Sequence, residues 1–140
     1  MSHRTSGWLW LLLAVAPLTS LAHDDLERQI ERLDRAIRTS PAEAGLYLQR
    51  AALHHAHQDT GAALADLELA EARDPDLVDL WLLRGRVLLE SGRAMEALPA
   101  LDRHLDRHPE DGLALALRAG ARGEVGDLTG AEEDYAAAAR

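Results

Sequence analysis

The sequence predicts an all-α protein built as a short stack of helical hairpins, and three observations carry that reading. Alanine and leucine dominate a chain without phenylalanine or cysteine, and all 15 of its basic residues are arginine, a residue set that favours helix. Pro41, Pro75 and Pro109 recur every 34 residues, and Arg50, Arg84 and Arg118 keep the same period, as do Ala51, Gly85 and Ala119, and Ala63, Ala97 and Ala131. Within a period the apolar residues follow helical spacing twice. Tyr47, Ala51 and His54 share one face, and Ala63, Leu67 and Ala70 share another, so each unit is a pair of helices.

Taken in order, residues 1–22, "MSHRTSGWLWLLLAVAPLTSLA", read as a secretory signal peptide. Arg4 precedes an apolar stretch from Trp8 to Leu18, Pro17 breaks its helix, and Ser20-Leu21-Ala22 places small residues where signal peptidase accepts them. The apolar stretch has 11 residues, whereas a membrane-spanning helix needs ~20. No cysteine at the junction provides for a lipid anchor. Cleavage after Ala22 is therefore expected, giving a periplasmic or secreted protein with no membrane span. Loss of Arg4 takes the formal charge from −9 to −10, and without disulfides packing alone must hold the exported chain.

Residues 23–40 follow as an N-terminal capping helix. Leu26, Ile30, Leu33 and Ile37 are spaced for one helical face, with charges elsewhere. Residues 41–140 form the repeat domain, in units 44–77, 78–111 and 112–140. The two helices of each unit are separated by turn signals at Gln58 to Gly61, Ser91 to Arg93 and Gly126-Asp127, and each proline ends a second helix. The chain stops at Arg140, three residues before the next proline is due. Helix 128–139 is expected to cap the stack with Glu132, Glu133 and Asp134 as its polar face; failing that, the chain is a truncated copy or a partner covers the end.

A 34-residue helix-turn-helix unit with a small residue at position 8, alanine at position 20 and proline at position 32 resembles the tetratricopeptide repeat. Position 4, usually tryptophan in that family, is Tyr47, Trp81 and Leu115. Position 8 is Ala51, Gly85 and Ala119, and position 20 is Ala63, Ala97 and Ala131. Position 24 is Leu67, Leu101 and Tyr135, and position 27 is Ala70, His104 and Ala138. The resemblance implies a right-handed α-solenoid of about three units. It also implies that Tyr47, Ala51, Ala63, Trp81, Gly85, Ala97, Ala119 and Ala131 pack the repeats together. The pattern departs from the family at position 7, arginine in every unit, and at position 11, which is His54, Leu88 and Arg122. Pro99, inside a second helix, costs a hydrogen bond and suggests a looser or kinked second unit.

The resemblance further implies protein binding rather than catalysis, with an extended peptide or helix held in the groove lined by the first helices. Carried over by position, that groove comprises Leu48, His55, Asp79, Leu82, Arg86, Leu89, Leu113 and Ala116, with Ala52, Gly120 and Gly123 among its small residues. Lysine and asparagine, which clamp a terminal carboxylate in some members, are missing from these positions. An apolar peptide or helix of another cell-envelope protein is the expected partner, and the chain is expected to act as a scaffold or adaptor. Of the two arginines in "DLWLLRGRVLLESG", Arg84 recurs and is read as structural, its head reaching a carboxylate or water. Arg86 does not recur and is read as a groove contact.

Other classes fit less well. The negative charge argues against nucleic acid, which selects a basic face. With no cysteine, with Ser40 and Ser91 in turns after leader removal, and with no phosphate loop, an enzyme is not expected, nor is a cofactor. Histidines supply the alternative, an exported protein handling copper or zinc. His54 and His57 lie a helical turn apart, His104 and His108 have i, i+4 spacing, and cleavage would make His23 the first residue, its amine and ring together able to chelate copper. Packing is the stronger reading for His54 and His104, because a metal site needs at least three converging ligands.

Overall fold

The computed structural model describes residues 18–140, with side chains from residue 22 onward. Most of the expected leader therefore lies outside the described residues. Those described form seven helices and no strand: α1 (Leu18–Thr39), α2 (Ala44–Ala56), α3 (Thr60–Arg73), α4 (Leu80–Glu90), α5 (Ala94–Arg107), α6 (Gly112–Glu124) and α7 (Leu128–Ala138). None is long and apolar enough to cross a membrane. Helix α1 begins at Leu18, earlier than the expected 23–40, and runs through the Ala22–His23 junction. Leu26, Ile30, Leu33 and Ile37 are half-buried along it.

Sequence sets these boundaries locally. Helices α1, α3 and α5 end at Thr39, Arg73 and Arg107, two residues before Pro41, Pro75 and Pro109, because the residue before proline is pushed out of helical geometry. Asp59, Asp111 and Asp127 cap α3, α6 and α7 by accepting backbone N–H bonds from Ala62, from Leu113 and Ala114, and from Gly130. Between the helices of each unit the backbone turns left-handed at one register position: Gln58 (φ 62°), Gly92 (φ 77°) and Gly126 (φ 89°). The next N–H closes back across the turn each time, Asp59 to His54, Arg93 to Leu88 and Asp127 to Arg122. The first helix of the second unit starts at Leu80, two residues into the unit, because Asp79 is itself left-handed (φ 69°).

Helices pair as α2 with α3, α4 with α5 and α6 with α7, and α1 packs on α2. Helix α4 also touches α2 and α6, whereas among the described residues α5 touches neither α3 nor α7. First helices therefore form the inner, concave layer and second helices the outer one. Burial follows the repeat. All eight expected packing residues, Tyr47, Ala51, Ala63, Trp81, Gly85, Ala97, Ala119 and Ala131, are buried. Gly85 must be small: a Cβ there would lie 2.5 Å from Leu101 Cγ. The Tyr47 hydroxyl donates to the Pro41 carbonyl at 2.9 Å, and Trp81 Nε1–H donates to the Pro75 carbonyl at 3.0 Å, tying each aromatic to the proline corner before it. Helix α5 runs unbroken through Pro99, with Ala97, Ala100 and Leu101 buried around it.

The recurrent arginines explain much of the remaining polar burial. Arg50 donates to buried Asp66 through Nε at 2.8 Å and Nη2 at 2.6 Å, and to Asp34 on α1 through Nη1 at 2.7 Å. Arg118 repeats this with Asp134 at 2.8 and 2.7 Å and with Asp102 at 2.8 Å. Each arginine thus joins three helices. Hydrogen bonds donated to Asp66 and Asp134 raise the guanidinium pKa of Arg50 and Arg118 above the ordinary value, burial works against the charge, and the second aspartates add to the rise.

One expectation about the final helix needs correction. Asp134 does not belong to its polar face: it is buried, held by Arg118 and by Arg122 at 3.0 Å, and of the three acids only Glu132 and Glu133 are exposed. Tyr135, at the register position of Leu67 and Leu101, is 53% exposed while both leucines are fully buried. In the described chain no further helix packs beyond α7.

Candidate functional site

The inner layer carries a concave, mainly apolar groove. One depression of about 300 Å³ is lined by Leu48, Gln49 and Ala52 of α2, Asp79, Leu82, Leu83 and Arg86 on and before α4, and Leu113 of α6. A second, of about 400 Å³, is lined by Gln29, Arg32 and Leu33 of α1 with Gln49, Ala52 and Leu53 of α2. Gln49 and Ala52 belong to both, so the groove is continuous across α1, α2, α4 and α6. Leucine and alanine make up most of its lining, with Gln29, Arg32, Gln49, Asp79 and Arg86 as its polar members.

Five of the eight expected groove residues, Leu48, Asp79, Leu82, Arg86 and Leu113, meet around the first depression. The other three lie outside both. His55 pairs with Glu90 at 3.0 Å, and Leu89 packs into the core between the second and third units, 3.6 Å from where a Cβ on Gly120 would stand. Ala116 is half-buried one turn beyond Leu113. Gln29, Arg32, Leu33 and Leu53 were not among the expected residues. For the three on α1 the signal was present in the amphipathic pattern of that helix, whose Leu33 was expected on a packing face. Arg86 is partly exposed and reaches only to 4.0 Å from Glu90, leaving its head free to meet an occupant.

The histidines distribute differently from the expected pairs. His54 turns to Asp66 at 3.7 Å. His104 is buried and hydrogen-bonds to Asp111 at 2.8 Å, with the His108 ring tilted against it at 4.9 Å between centroids. Neither the pair His54 and His57 nor the pair His104 and His108 gathers a third ligand among the described residues. His57 instead meets His23 on α1.

Stacked helical hairpins at a fixed 34-residue period, with one concave layer of first helices, define the class: an α-solenoid repeat protein. Residues 54–120 match the family model for the tetratricopeptide repeat. The chain's fold is shared with solved structures of MamA. A structure of MamA, residue 41 to the end, from Desulfovibrio magneticus RS-1 superposes with a TM-score of 0.79 at 20% identity, covering 84% of this chain and 67% of that one. Another MamA structure gives 0.75 at 19% identity, covering 81% and 62%. A third, MamA of MSR-1, gives 0.72 at 19%, covering 85% and 68%. The chain thus spans about two thirds of the length of the MamA chains it matches. No curated protein matches it.

Proposed function

We propose that this chain is an exported, non-enzymatic scaffold or adaptor that holds an apolar peptide or amphipathic helix of a partner protein in its inner groove. The observation that carries the reading is the continuity of that groove. Leu33, Leu48, Leu53, Leu82, Leu83 and Leu113 line a channel across four helices, and an amphipathic helix lays apolar anchors at i, i+3 and i+4 into such a surface. Arg32 and Arg86 favour an occupant with acidic residues flanking its apolar face, since rim charges set partner choice. Export rests on the leader pattern of residues 1–22, and would bring the chain to the periplasm or outside the cell.

Cross-linking from photoreactive residues on the groove face in intact cells should capture one protein, and Leu82→Glu should abolish the capture while leaving helical content unchanged. Capture retained in Leu82→Glu sinks the groove reading. Export is tested separately: the protein recovered from the cell envelope should begin at His23, and a protein retaining Met1 in the cytosol overturns it.

A further inference from the structure

We propose that His23, Glu27 and His57 form a binding site for one late first-row divalent metal ion, with zinc as its reference occupant. His23 and Glu27 are four residues apart on α1 and so share a face. His57 caps the C-terminal end of α2, 34 residues after His23 and hence at the same register of the repeat. Packing of α1 on α2 brings the two histidines together. Two imidazoles and a carboxylate, contributed by two helices, then converge with one ligand atom from each within 4.8 Å of the other two.

Two of the three ligand-to-ligand distances match the edges of a coordination tetrahedron. His57 Nε2 lies 3.3 Å from His23 Nε2, which in turn lies 3.2 Å from Glu27 Oε1. A tetrahedral zinc ion with bonds of about 2.0–2.1 Å holds its ligand atoms about 3.3 Å apart. His57 Nε2 is also 2.8 Å from His23 Nδ1, so the two imidazole rings already meet edge to edge where α1 packs on α2.

The donor set chooses the metal. Two borderline imidazoles and one oxygen suit zinc and copper, with copper the tighter by the ordinary order of divalent affinities, and do not suit magnesium or calcium, which prefer oxygen alone. The His23 and Glu27 side chains are 52% and 56% exposed, which leaves room for water as a fourth ligand and makes the ion exchangeable. All three ligands lie beyond Ala22, so the set survives the proposed cleavage. Bound metal would fasten α1, one wall of the groove, to α2.

Zinc titrated into the full chain by calorimetry should bind at one equivalent with micromolar affinity. His23→Ala and His57→Ala should each weaken it at least about tenfold, while His108→Ala leaves it unchanged. Cobalt should give the intense visible bands of a four-coordinate site in the wild type and in His108→Ala but not in His57→Ala. Helical content should be the same in all variants, since His23 and His108 are exposed and His57 lies past the last turn of α2. No saturable binding at millimolar zinc, undiminished binding in His57→Ala, or equal loss in His108→Ala would each overturn the site. Capture of a partner by the groove is independent of all these results.

Discussion

Ala100 stands in the same relation to Arg84, sixteen residues on, as Asp66 stands to Arg50 and Asp134 to Arg118. The middle unit therefore has the arginine of the repeat without its buried carboxylate. A second change accompanies the first. Position 11 holds His54 or Arg122 near the buried aspartate in the outer units and Leu88, itself buried, in the middle one. Acid and neighbouring base have both given way to apolar packing, and Arg84 is left donating to half-exposed Glu71 at 2.7 Å with a buried Nη2 that meets no acceptor.

This asymmetry predicts opposite responses to one substitution. Arg50→Met leaves Asp66 buried without its fork of donors, and removing one member of a buried pair costs about 3 kcal/mol. Arg84→Met keeps an apolar stem beside Trp81, removes an unsatisfied donor and forfeits one bond to a partly solvated carboxylate, so its cost should stay within about 1 kcal/mol. Urea unfolding followed by circular dichroism measures both. Equal losses would show that the middle arginine is as well paired as the outer ones.

The turn between α2 and α3 offers a gain. Gln58 adopts φ 62° where the other two units use Gly92 and Gly126, and a left-handed residue with a Cβ costs about 1–2 kcal/mol relative to glycine, of which the greater freedom of unfolded glycine returns part. Gln58→Gly should raise stability by about 0.5–1 kcal/mol, and Gly92→Gln should lower it by a similar amount. A melting temperature that falls in Gln58→Gly would mean that the glutamine side chain contributes something the backbone geometry does not reveal.

How much of this was legible in the sequence depends on whether a signal repeats. The 34-residue spacing of Pro41, Pro75 and Pro109 located the helix ends, and the small residues at Ala51, Gly85 and Ala119 located the close approaches, because each unit restates the same local requirement. Asp134 was misassigned to a polar face because helical spacing alone shows a charged residue and not its partner, and its partners Arg118 and Arg122 come from the preceding helix. The α1 wall of the groove and the meeting of His23 with His57 were missed for a related reason. Both depend on how a helix outside the counted repeats docks on the first one.

Gly85 tests the close approach directly. A Cβ at this position would meet Leu101 Cγ at 2.5 Å and Cδ2 at 2.6 Å, in the packed interior between α4 and α5. The added methyl must displace a fully buried leucine, which costs about 1–3 kcal/mol, against a gain of about 1 kcal/mol in helix propensity. At Gly120 the nearest atom is Leu89 Cδ2 at 3.6 Å, an ordinary contact, so only the propensity gain remains. Gly85→Ala should therefore destabilise and Gly120→Ala should stabilise, and the reverse order of their unfolding midpoints would refute the packing assignment.

The corner between α5 and α6 predicts a pH dependence. Asp111 caps α6 by accepting from Leu113 and Ala114, and its other oxygen accepts from Nε2–H of buried His104 at 2.8 Å. Burial pushes the carboxyl pKa upward, but the bonds from His104 and from the two amides outweigh it and hold it below the ordinary aspartate value of 3.8. A depressed carboxyl pKa adds stability that is fully present above the unfolded-state value and is lost as pH falls through the folded-state one. Asparagine is an equally good cap, so Asp111→Asn isolates the charge. It should cost about 1 kcal/mol at neutral pH, and the gap between variant and wild type should narrow as pH falls below about 4. Unfolding midpoints measured from neutral to strongly acid pH decide it, and a gap of constant size would show that the capping geometry, not the carboxylate charge, holds this corner.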